Sequence, residues 1–87
     1  MSEVETAELH ELQAKADAAS AMLNSAVFNE AFQSMNQQLI NQILSTPAEA
    51  PEERERLYMM YKGGQMFVQQ FATLINNLEL RKQQEDA

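Results

Sequence analysis

The chain has no cysteine, and that absence removes disulfides, Cys-ligated zinc and thiol catalysis together and suits a reducing compartment. Basic residues are also scarce. Six Lys and Arg stand against 13 Asp and Glu, a formal charge of −7. Nonspecific binding to nucleic acid or anionic lipid relies on basic surface, so the composition argues against both, and a helix-turn-helix regulator would need a basic recognition helix that the chain lacks. No apolar run approaches the roughly 18 residues of a membrane span. The acidic start Met1-Ser2-Glu3-Val4-Glu5 is the opposite of a basic secretory leader. The expectation is a soluble protein of cytoplasmic synthesis.

Candidates for chemistry are equally few. The one histidine, His10, falls among Glu8 and Glu11 on the polar side of the first predicted helix and reads as a solvated side chain, not a metal ligand. Ser20, Ser25, Ser34, Ser45 and Thr46 have neither a neighbouring histidine base nor a glycine elbow. Glu52, Glu53 and Glu55 lack the Glu-x-x-His element of helical carboxylate metal sites and instead read as a charged helix start, with Glu52 and Arg56 as an i,i+4 pair. The sequence predicts no enzyme, no metal and no cofactor.

What the chain does have is helical periodicity. Leu57, Tyr61, Gly64, Val68, Phe71, Ile75 and Leu78 alternate spacings of four and three, the apolar seam of a helix that packs along another. A weaker stripe, Leu9, Leu12, Ala16, Ala19 and Leu23, predicts a first helix with little to bury, loosely held and frayed at its start. The phase shifts at Asn24-Ser25, either of which could cap a second helix built on Phe28, Phe32, Met35, Leu39 and Ile43. Pro47 forces Thr46 out of the helical region, and Pro51 suits the first turn of a third helix. A chain of 87 residues has room for one domain, and at this size self-association often completes stability. The predicted fold is all-α: an antiparallel helical hairpin of two long helices plus a shorter N-terminal helix. Its helices cover about 4–23, 25–44 and 51–80, with a Pro-containing loop at 45–51 and a frayed tail at 81–87.

Gly63 and Gly64 interrupt the third helix at roughly 1 kcal/mol each relative to alanine. Gly64 lies on the seam, so the pair predicts a kink or a close helix approach, with a functional hinge as the sharper alternative. Two stretches, from Ala31 through Ala48 and from Gly63 through Leu78, carry no charge at all. Asn29, Gln33, Asn36, Gln37, Asn41 and Gln42 line the far face of the second helix, and Met59, Met60 and Met66 flank the main seam. Such neutral surface is desolvated more easily than Lys and Glu, which predicts packed interfaces. Core and interface are assigned to Phe28, Phe32, Met35 and Leu39 in the hairpin core, and to Leu57, Tyr61, Gly64, Phe67, Val68, Phe71, Ile75 and Leu78 along the seam.

Thr46-Pro47, followed by Glu53-Arg54-Glu55-Arg56-Leu57-Tyr58, resembles a loose group of short helical proteins encoded among the structural genes of tailed bacteriophages. Leu23-Asn24 and Ala31-Phe32 fit the same outline, and the resemblance covers about 22–78. Ile43 and Leu44 stand where members carry a tryptophan, and Gly63-Gly64 where they carry bulky residues. The resemblance implies a non-enzymatic protein of the virion or of its assembly, made in the host cytoplasm, and it transfers no site residues. The expected partner is a second copy or a larger phage structural protein, with no nucleic acid and no membrane. The alternative is a small acidic inhibitor of a host defence or nucleic-acid-binding protein, whose contacts salt would weaken.

Overall fold

The computed structural model describes residues 2–86, which form three α-helices, α1 (Glu3–Leu23), α2 (Ala26–Ser45) and α3 (Pro51–Asp86). All regular structure among the described residues is helical. The N-terminal helix is not the short one: α1 has 21 residues against 20 in α2. Nor is its start left open. The Ser2 hydroxyl accepts from the Glu5 backbone N–H at 3.2 Å while the Glu5 carboxylate accepts from the Ser2 N–H at 3.4 Å, a reciprocal cap that satisfies two otherwise orphaned donors.

The break between α1 and α2 falls at the phase shift and is held by three polar side chains. The Ser25 hydroxyl accepts from the Phe28 N–H and caps α2, and the Asn24 amide donates to the Ser20 carbonyl at 2.9 Å. Asn29 spans the joint. Its amide donates to the Leu23 carbonyl at 2.8 Å and to the Ser25 carbonyl at 2.9 Å, so it belongs to the joint and not to a solvated far face.

The second connection is shorter than its sequence suggests, because Ser45 ends α2 and Pro51 opens α3, leaving residues 46–50. Thr46 is extended at φ −68° and ψ 130°, as the following proline demands. Its hydroxyl donates to the Gln42 carbonyl at 2.6 Å. The Ala50 N–H closes a turn onto the Pro47 carbonyl, and the Arg54 guanidinium reaches the same carbonyl at 2.9 Å, fastening the loop to α3.

Helix α3 stays helical through Gly63 and Gly64, neither of which has a positive φ, and it runs to Asp86 instead of stopping near Leu80. Of the expected frayed tail, residues 81–86 are therefore helical, and Ala87 lies outside the described residues. Arg81 does not terminate the helix. It reaches across to the Glu8 carboxylate of α1 at 3.5 Å. At 36 residues α3 is about 54 Å long, and it sets the shape of the molecule, a rod of 62 × 25 × 18 Å. The radius of gyration is 18.7 Å, where a globular chain of this length has about 12 Å.

Helix α3 is the common partner: it packs most extensively on α1 and less so on α2, while α1 and α2 barely meet. The face that α1 buries, Ala16 and Ala19, therefore lies against α3. The rest of the predicted stripe, Leu9, Leu12 and Leu23, is only half-buried, so the face that α1 covers is narrow and centred on its alanines. Leu78 sits one turn before Arg81 and is 3% exposed. Leu39 and Leu57 complete the short list of buried side chains.

Candidate interaction surface

The contacts between α2 and α3 run in opposite order along the two helices. Phe28, near the start of α2, meets Phe71, and Met35, further along, meets Gly64. All four phenylalanines of the chain form one ladder: Phe32 stacks parallel on Phe28 at 6.4 Å, Phe28 meets Phe71 edge-on at 5.8 Å, and Phe71 meets Phe67 edge-on at 5.4 Å. These offset and T-shaped arrangements are the ones the ring quadrupole favours. The ladder does not end in a core, because Phe67 is 61% exposed.

Beside the ladder lies an apolar groove of about 400 Å³, bounded by Phe28, Ala31, Phe32 and Met35 from α2 and by Gly64, Phe67 and Val68 from α3. No ionisable side chain lines it. Gly64 lets α2 come this close: a Cβ there would stand 2.9 Å from the Met35 methyl and 3.7 Å from the Phe32 ring. Gly63 has nothing within 4 Å of its corresponding position and opens to solvent. Met60 and Met66 of α3 are exposed and lie outside the groove lining, and Arg56 donates toward the Met60 sulfur at 3.4 Å.

The residues assigned from the sequence separate into three groups. Leu39, Leu57 and Leu78 are buried; Phe28, Phe32, Tyr61, Gly64, Val68, Phe71 and Ile75 are half-buried; Met35 and Phe67 are exposed. Met35 is thus not part of a closed hairpin core: its methyl lies over Gly64, but the side chain borders solvent. The groove unites Phe28, Phe32, Met35, Gly64, Phe67 and Val68, and Phe71 stands behind it. Tyr61, Leu57 and Leu39 lie nearer the loop at 46–50, while Ile75 and Leu78 lie further along α3. Ala31 was missed as a groove residue, although its position one residue before Phe32 on an uncharged stretch is the signal that could have found it.

Charge is kept away from this surface. Arg56 pairs with Glu53, not Glu52, through two hydrogen bonds of 3.1 and 2.6 Å, a forked contact at i,i+3 that the guanidinium plane favours. The guanidinium hydrogen bonds hold the Glu53 carboxyl below its ordinary range and raise the Arg56 pKa in return. Both groups are solvent-exposed, so the pair contributes little to stability. His10 is exposed on α1, and among the described residues no group of His, Asp or Glu is placed to hold a metal ion. No helix among them is long and apolar enough to cross a membrane.

Fold and surface together define a three-helix, all-α rod with an uncharged apolar groove at the α2–α3 contact. Comparison with protein-family models, with curated proteins and with solved structures gives no match.

Proposed function

We propose that this chain is a non-enzymatic helical interaction protein, in which α2 and α3 form an antiparallel hairpin that packs its open side on another helical surface. The observation that carries this reading is the exposed end of the phenylalanine ladder. Phe67 and Met35 stand in solvent on either side of a groove with no ionisable lining. Exposed apolar surface of this kind marks an interaction site more often than a solvated face. The resemblance around Thr46-Pro47 and Glu53–Tyr58 supports a virion or virion-assembly role for the packing, with a second copy or a larger phage protein as partner.

The test is the solution mass of the chain by light scattering in low and high salt, alone and with candidate structural proteins encoded nearby. Association that survives high salt and is lost in Phe67→Glu supports the reading. Association that high salt abolishes would point to charge-driven contact through the carboxylates, as an acidic inhibitor would make, and would remove the groove from the mechanism.

A further inference from the structure

We draw no further inference here: the strongest candidate, the uncharged apolar groove between Phe28, Phe32 and Met35 of α2 and Gly64, Phe67 and Val68 of α3, belongs to the surface already described, and nothing in the structure shows what covers it.

Discussion

The two halves of α3 are packed by opposite means. Along its C-terminal half α1 lies against it with alanines, and Ala16, Ala19 and Leu78 are buried. Along the middle of α3, from Gly64 to Phe71, α2 brings three of the largest apolar side chains in the protein, Phe28, Phe32 and Met35, yet none of them is buried. The amide oxygen of Asn36 in α2 is shielded from solvent without a hydrogen-bond partner, a further sign that this contact is less complete. Nearer the loop, Leu39 of α2 and Leu57 of α3 are buried, so the open stretch is confined to the phenylalanine ladder and Met35, whose outer edges no third helix covers.

The largest expected effect separates these halves directly. Leu78→Ala should cost about 2–5 kcal/mol, because a closely covered leucine leaves a cavity that neighbouring helices fill only in part. Phe67→Ala should leave the protomer's own stability nearly unchanged, since most of its ring already meets solvent. Chemical unfolding followed by circular dichroism at several protein concentrations distinguishes them. Leu78→Ala lowers the midpoint at every concentration, and Phe67→Ala lowers it only where copies associate. Equal losses at all concentrations would make the two halves one core and break the contrast.

A smaller effect is expected where the halves join. Asn29 holds the end of α1 to the start of α2 through two carbonyls, at 2.8 and 2.9 Å. Asn29→Ala removes both bonds in a part-buried setting and should cost about 1–2 kcal/mol. Hydrogen exchange reads the consequence more sharply than a melt: faster exchange at residues 24–28, with α3 unaffected, is the expected pattern. Uniform exchange along all three helices would mean that the joint is not a separate element.

Gly63→Ala should change the sign. The position is helical with negative φ, and an added Cβ meets nothing within 4 Å. Alanine there should raise stability by about 1 kcal/mol through helix propensity alone. Gly64→Ala gains the same propensity but pushes on the Met35 methyl 2.9 Å away, so its gain should be the smaller. Thermal melts of the two variants side by side check this. A larger gain at 64 would mean that Met35 does not rest there.

Much of this was legible in the order of residues. The heptad seam placed Leu57, Gly64, Phe71 and Leu78 on the inward side of α3, the phase shift located the break at Asn24-Ser25, and the proline rules explain the extended Thr46. That Ala16 and Ala19 are buried more deeply than Leu9, Leu12 and Leu23 was not legible, because a hydrophobic stripe is weighed by the size of its residues. Asn29 was misread for another reason. Its bond to the carbonyl six residues earlier exists only because the chain bends between them, and linear spacing does not record that bend. The groove is intermediate: Phe28, Phe32, Met35, Gly64, Phe67 and Val68 were all singled out, but periodicity cannot tell which side of a seam stays open. The end of α3 escaped because no glycine or proline marks it, and Arg81 finds its partner on another helix.

The smallest effect concerns charge near the loop-proximal end of α3. Hydrogen bonds from Arg56 lower the Glu53 carboxyl below its unfolded value. A carboxylate shifted in that direction contributes stability above its unfolded pKa, and the contribution is lost as pH falls through the lower, folded pKa. The sign is therefore fixed: Glu53→Gln can only flatten the acid limb of a stability–pH curve, never steepen it. Its size is set by exposure, since both side chains remain in water and salt screens them. Urea midpoints for Glu53→Gln should fall at most slightly below those of the natural chain at neutral pH, and the two should converge on the acid limb as Glu53 takes up its proton. A clear loss at neutral pH would mean that Arg56 acts through more than this pair. Its contact with the Met60 sulfur would then be the place to look, because it is the other side-chain contact the Arg56 guanidinium makes.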